Sequence, residues 1–238
     1  MASFWGSGFG KGIAVAGAFC MLWGASGAPG YARELRTPEK YEALPYAEVL
    51  IDAGHGGIDS GAYYEDVLEK DINLAIAKKV YALLKAYRFS VVLNRTGDYA
   101  LSDDNRWHVT RSRHRKDLSQ RGQLTEEIRT GMLISLHVNW TSDRSKHGPL
   151  VLHQRSGESA LLALCLQDAL NRQQHSRFLP REGKPFYLLN RVKQPAVIIE
   201  MGFVSNAEDR AMLTSAKGQD RIAHAIVSGL RHYRTLAR

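Results

Sequence analysis

Three residues of this 238-residue chain stand where apolar runs give way to polar chemistry: His55, His137 and Glu200. His55 lies in residues 49–62 (VLIDAGHGGIDSGA), which begin as a short apolar strand and pass at once into glycines at 54, 56, 57 and 61. Glycine that dense lets backbone approach a ligand closely and take φ > 0 at little steric cost. Asp52 and Asp59 flank the histidine. His137 closes the run MLISLH (132–137), and Glu200 closes AVIIE (196–200). In an open α/β sheet the ligand crevice lies beyond the carboxyl ends of the strands, so neighbouring strands would bring all three together. A glycine loop by itself also suits a plain strand-to-helix connection, and a lone histidine after a strand also suits a hydrogen-bonded core residue. Glu200 is harder to place as structure alone. A carboxylate directly after Val-Ile-Ile is buried at a cost unless it meets a metal, a cation or a proton.

The chemistry that fits is a catalytic zinc site. The two cysteines, Cys20 and Cys165, give no CxxC pattern and no disulfide framework, so a metal must be held by histidines and carboxylates. Two neutral imidazoles and one carboxylate would leave the fourth tetrahedral position of Zn2+ to water, whose pKa falls to about 7 on the metal. The third ligand must be an acid near His55, from among Glu65, Asp66 and Glu69. A position at the start of a helix, which anchors a side chain rigidly, favours Glu69. Glu200 would then be the outer carboxylate, taking the water's proton and handing it to the leaving nitrogen.

The elements that must position these groups read as follows. Glu69 to Tyr87 is a strong helix, with Ile72, Ile76, Val80, Leu83, Leu84 and Tyr87 at three- and four-residue spacing and Lys78, Lys79 and Lys85 left to solvent. Glu69 and Asp71 at its amino end suit the helix dipole. Strands are expected at 48–51, 89–94, 132–137, 150–153, 186–189 and 196–200. Further helices are expected at 117–130, with Leu118, Leu124 and Ile128 inward, and at 157–174, 208–214 and 220–236. Strands that alternate with helices and are apolar on both faces imply a single-domain α/β fold with an open, twisted, mostly parallel sheet flanked by helices. The polar stretch 96–116 is too long for an ordinary connection.

Ahead of this domain, Ile13 to Trp23 form an apolar run, too short for a confident membrane span of about 20 residues. It fits the core of a secretory signal with cleavage after Ala32, or an anchor that engages the membrane. Phe19 directly before Cys20 argues against a lipoprotein signal. The expected organisation is a signal or anchor at 1–32, a linker at 33–47 and a catalytic domain at 48–238, exported to the cell envelope. A net charge of +8 favours an anionic surrounding. The basic stretch Arg106 to Lys116 reads as a solvated loop or as a rim for anionic glycan or peptide carboxylates. Export and the lack of a matching motif disfavour nucleic acid. His108, His114, His147, His153, His175, His224 and His232 lack the strand-end placement and receive no role.

Four ordered blocks, GHGGIDSGA, EKDINLAIAKKV, SLHVN and PAVIIEMGFVSN, resemble the zinc-dependent N-acetylmuramoyl-L-alanine amidases of the amidase-3 family. The resemblance runs from about Val49 to Tyr233. It implies that His55, Glu69 and His137 are zinc ligands and Glu200 the catalytic glutamate. The implied substrate is peptidoglycan, at the amide joining the lactyl group of muramic acid to L-alanine. Ala53 stands where the family usually has proline, and Tyr64-Glu65 replaces a more glycine-rich approach to the ligand glutamate. Neither touches a ligand. A short chain with an apolar amino-terminal segment, and with Arg111 to Leu118 ahead of Arg121, looks like the spore-cortex (CwlD-type) amidases, which act in making muramic δ-lactam. A monomer is expected, with an accessory protein allowed for. Two other readings remain: a peptidoglycan-binding module of the same fold without turnover, and a zinc hydrolase with another substrate.

Overall fold

The computed structural model describes residues 46–103 and 110–237. The expected signal or anchor segment and nearly all of the linker lie outside them. The first strand, β1 (Ala47–Ala53), is buried along almost its whole length and leads into the glycine loop. A two-residue hairpin, β2 (Tyr63–Tyr64) and β3 (Val67–Leu68), then delivers the chain to α1 (Glu69–Ala86). After β4 (Val91–Leu93) come α2 (Arg113–Glu127), β5 (Thr130–Asn139), β6 (Leu150–His153) and α3 (Gly157–Gln174). The chain continues with β7 (Arg181–Glu182), α4 (Tyr187–Arg191), β8 (Ala196–Phe203), α5 (Ala207–Thr214) and α6 (Ala216–Leu236). The main sheet has the order β4-β1-β5-β8-β6-β7. Its first four strands are parallel, β6 runs antiparallel to β8, and β7 is parallel to β6. This is the mainly parallel α/β sheet that the apolar strands imply.

Strand parity sorts the side chains between two faces. Val49 and Ile51 of β1, Ile134 and Leu136 of β5, and Val197 and Ile199 of β8 face the large core with α1, α3 and α6. Leu50, Leu133 and Ile198 face a smaller cluster with Leu188 and Leu189 of α4 and, at its edge, Leu118 and Leu124 of α2. His137 and Glu200 share the parity of Leu133 and Ile198, so both lie on the face with the thinner cover. They are also cross-strand neighbours in the β5–β8 register.

Several expectations are corrected. The run 186–189 is not a strand. It begins α4, and so short an apolar run carries no period that separates helix from strand. The helix expected at 117–130 starts at Arg113, where the Ser112 hydroxyl caps it by accepting from the Arg115 N–H, and ends at Glu127. Its fully buried residues are polar, namely Asp117, Ser119, Arg121 and Thr125, while Leu118 and Leu124 are half-buried. Strands β5 and β8 run on past His137 and Glu200 rather than ending at them.

The polar face of α2 has a physical reason. Arg121, 3% exposed, pairs with Asp52 at 2.6 Å and with Asp117 at 2.5 Å. It also donates to the carbonyl oxygens of Ala53 (2.9 Å) and His55 (2.8 Å). Asp52 accepts further bonds from Asn94 Nδ2 and Ser135 Oγ, both at 2.5 Å. Burial alone would raise the Asp52 pKa, but the Arg121 charge and the Ser135 bond outweigh it and hold the carboxyl below its ordinary value. A buried pair with every partner in place is tolerated, whereas removing one member leaves an uncompensated charge. Arg121→Ala is therefore expected to lower the free energy of unfolding by about 3–5 kcal/mol, read from urea denaturation.

Candidate metal centre and catalytic cleft

The centre is built around Glu69, the first residue of α1 and 3% exposed. Its Oε2 accepts from the Ala62 N–H at 2.7 Å, and its Oε1 from the Val138 N–H at 2.9 Å and from Asn73 Nδ2 at 3.2 Å. His137 Nδ1 lies 2.9 Å from Oε1, and His55 Nε2 lies 3.3 Å from it. Burial pushes the Glu69 pKa up, but the two histidines more than offset it and hold the carboxyl well below the usual range. Glu65 and Asp66, the other acids considered from the sequence, are exposed on the hairpin turn. The rigid helix start thus points Glu69, and not its neighbours, at the histidines.

His55 sits at φ 60°, a left-handed conformation that a non-glycine residue adopts at some cost. Its ring is oriented by Asp59, whose Oδ2 lies 2.8 Å from Nδ1. Asp59 is itself fixed, through paired backbone bonds with Gly56 and through the Gly61 N–H on its Oδ1. Such a carboxylate behind a histidine selects the tautomer and frees Nε2 to face the centre. The two imidazole rings meet edge to face at 4.9 Å. Burial works against protonation of His55, yet Asp59 and Glu69 push its pKa up to about 10, while the His55 bond draws Asp59 down to about 2. The environment is built for positive charge. One ligand atom from each of His55, Glu69 and His137 lies within 4.8 Å of the others, so this group could hold a metal ion. The donor set of two nitrogens and one oxygen suits zinc.

Gly56, Gly57 and Gly61 take positive φ as the sequence implies, and two of the loop's glycines have a further use. A Cβ at Gly54 would stand 2.4 Å from His137 Cε1. One at Gly61, where φ is +65°, would stand 2.5 Å from Glu69 Oε2 and 2.6 Å from His55 Cδ2. These two positions make room for the centre's own side chains rather than for an incoming ligand. Arg95, 1% exposed, holds the same turn from the other side by donating to the carbonyls of Ala53, Gly54 and Lys70.

Glu200 lines the same cavity, about 450 Å3 in volume, but stands outside the metal-capable group. It is 9% exposed, and its Oε2 is buried with no hydrogen-bond partner. Burial pushes its pKa up to about 7, where a carboxyl can both take and give a proton near neutral pH. The cleft is also lined by Trp140, Phe186 and Tyr187, and by His114, to which the sequence assigned no role. His114 lies on the first turn of α2, so only the extension of that helix into the basic stretch brings it to the cleft. Of that stretch, residues 106–109 lie outside the described residues. Asp59, Arg95 and Arg121 were likewise missed as supports; an aspartate four residues after a loop histidine is the one signal that pointed to any of them.

The profile of the N-acetylmuramoyl-L-alanine amidase family (amidase-3) matches residues 49–232. The germination-specific N-acetylmuramoyl-L-alanine amidase of Bacillus subtilis (strain 168) is 30% identical over 189 residues, 79% of this chain and 79% of that protein. The CwlD amidase of Clostridioides difficile, solved in complex with the GerS lipoprotein, is 31% identical with a TM-score of 0.75 over 80% of this chain and 99% of its own. The catalytic domain of CwlV, an N-acetylmuramoyl-L-alanine amidase from Bacillus (Paenibacillus) polymyxa, is 30% identical with a TM-score of 0.69, covering 81% and 99%.

Two outcomes are expected when zinc affinity is measured by competition with a chromophoric chelator. Asp59→Asn should weaken binding about 10–100-fold by freeing the His55 ring. Glu69→Gln should weaken it by more than Asp59→Asn, while Glu65→Gln leaves it unchanged.

Proposed function

The chain belongs to the N-acetylmuramoyl-L-alanine amidase family and is an amidase of peptidoglycan, and we propose that His55, Glu69 and His137 hold its zinc while Glu200 moves the proton. The observation that carries this reading is the convergence of the four side chains in one cavity, with His137 and Glu200 on adjacent strands in register. Zinc bound there would supply an electrophile that polarises the scissile carbonyl and acidifies a water molecule.

The chain's own residues do the rest. Asp59 keeps the His55 ring turned inward, and the Val138 N–H keeps the Glu69 carboxylate in place. Glu200, with a pKa near 7 and a free Oε2, accepts a proton from the attacking water as the new C–O bond forms. It returns that proton to the amide nitrogen as the C–N bond breaks. The products are the free lactyl carboxylate of muramic acid and the amine of L-alanine on the stem peptide. Burial keeps the carboxyl's pKa high, and Ile198 and Leu188 are among the apolar residues lining the same cavity.

The likeness to a germination-specific amidase and to a CwlD amidase supports a place in the spore cortex, where removal of stem peptides precedes lactam formation by another enzyme. The same likeness supports an accessory protein partner, since that CwlD is bound to a lipoprotein. Export to the envelope fits both, with residues 1–32 as signal or anchor. Among the described residues no helix is long and apolar enough to cross a membrane.

Mass analysis of products from purified sacculi tests the reaction. Release of intact stem peptides with an amino-terminal L-alanine, abolished by a chelator and restored by zinc, is expected. Glu200→Gln should keep the fold and the zinc but lose turnover by about 10²–10⁴-fold. Near-normal turnover of that variant would remove Glu200 from the proton step.

A further inference from the structure

Past Trp140 the catalytic cleft meets a second cavity of about 640 Å3. The two share Asn139 and Trp140, so Trp140, 54% exposed, stands at their junction. Their walls differ in chemistry. The catalytic cleft is lined by Pro185, Phe186 and Tyr187. The second cavity presents Lys146, His147 and Arg181 beside Phe178.

This second cavity is held in shape by buried contacts. Gly148 is buried at φ +88°, and the Phe178 ring lies 2.7 Å from where its Cβ would be. Asp209, also buried, accepts from the Gly148 and Phe203 N–H groups, both at 2.8 Å, and so fixes the loop before β6 against the end of β8. The cations are left over from this bonding. Among the described residues neither Lys146 nor Arg181 forms an ion pair. Asp143, which lies near Lys146, accepts from the Ser145 N–H and hydroxyl, and this bonding lowers its pKa more than Lys146 does.

A muramoyl–peptide substrate is asymmetric about the bond that breaks. One arm is an uncharged N-acetylated glycan, and the other is a peptide that carries carboxylates. We propose that the second cavity is the stem-peptide subsite, with Lys146 and Arg181 receiving peptide carboxylates. The glycan arm then lies along the Phe186 and Tyr187 wall. Unpaired cations in a partly enclosed groove select the anionic arm, because charge-assisted bonds to carboxylate are about twice as strong as neutral ones. The assignment rests on the amidase reading of the neighbouring centre.

The test uses the zinc-loaded protein and two measurements. Calorimetry records binding of the free stem peptide and of the same peptide with its carboxylates amidated. Kinetics records cleavage of the corresponding muramoyl-peptides. The wild-type chain should bind the carboxylate form about tenfold more tightly. Lys146→Ala/Arg181→Ala should bind the two forms equally, with KM for the carboxylate substrate raised about tenfold and kcat within about twofold, the signature of lost uniform binding. Both residues are exposed, so the fold should be unaffected. Lys78→Ala/Lys85→Ala, which removes two cations from the solvent side of α1, controls for net charge and should keep the preference. Equal wild-type binding of the two peptides, or a preference that survives in Lys146→Ala/Arg181→Ala, would overturn the subsite. A preference in binding without any turnover would instead leave the subsite standing and sink the amidase reading.

Discussion

A single buried carboxylate holds this centre together. Glu69 lies almost fully out of water, yet it is surrounded by donors: Ala62 in the preceding loop, Asn73 one turn on in its own helix, and Val138 on the distant strand β5. Burying a charge is costly unless its lone pairs are satisfied, and here the Val138 donor, 69 residues away, meets Glu69 only in the folded state. The same bonds leave the carboxylate facing His55 and His137 with its charge intact. The anchor of the fold at this point and the centre of negative charge in the cleft are thus one group.

Around it the turn from β1 into the glycine loop is fixed from two sides. Arg121 reaches in from α2 and Arg95 from the segment after β4, and between them they take the carbonyl oxygens of Ala53, Gly54 and His55. Consecutive buried carbonyls at the end of a strand have no ladder partners left, so guanidinium groups with their several fixed donors are well suited to them. This accounts for the polar buried face of α2. It also explains how His55 keeps a left-handed backbone, since the surrounding bonds determine its position more strongly than its own preference does.

Two carboxylates in one cavity are shifted in opposite directions because their surroundings differ. Glu69 has backbone and side-chain donors together with two histidines, and it stays ionised. Glu200 has an apolar wall and an oxygen without a partner, and its pKa rises to about 7. Groups pushed apart in this way can divide ligation from proton transfer without any difference in residue type beyond placement. Strand parity contributes as well. His137 and Glu200 share the parity of the sheet face that, among the described residues, is covered by α2 and α4, while the opposite face is filled by α1, α3 and α6.

Much of this was legible in the residues. The apolar runs of β1, β5 and β8, the periodic helices at 69–86 and 157–174, and the order of the His, Glu, His and Glu positions follow from patterns of two, three and four residues that act locally. Ambiguity stayed where local pattern carries no period, as in the short run that became α4, and where polar residues are buried, as along α2. What two of the glycines make room for was also hidden, because it depends on side chains 6 to 83 residues away, such as His55 and Glu69 beside Gly61 and His137 beside Gly54. The sequence by itself determined which side chains are available to the centre and which strands carry them. Only the tertiary structure decided how far each carboxyl is shifted, and it alone placed the cationic groove beyond Trp140. Those properties depend on burial and on donors brought together from distant parts of the chain, and neither exists until the sheet is closed over by its helices.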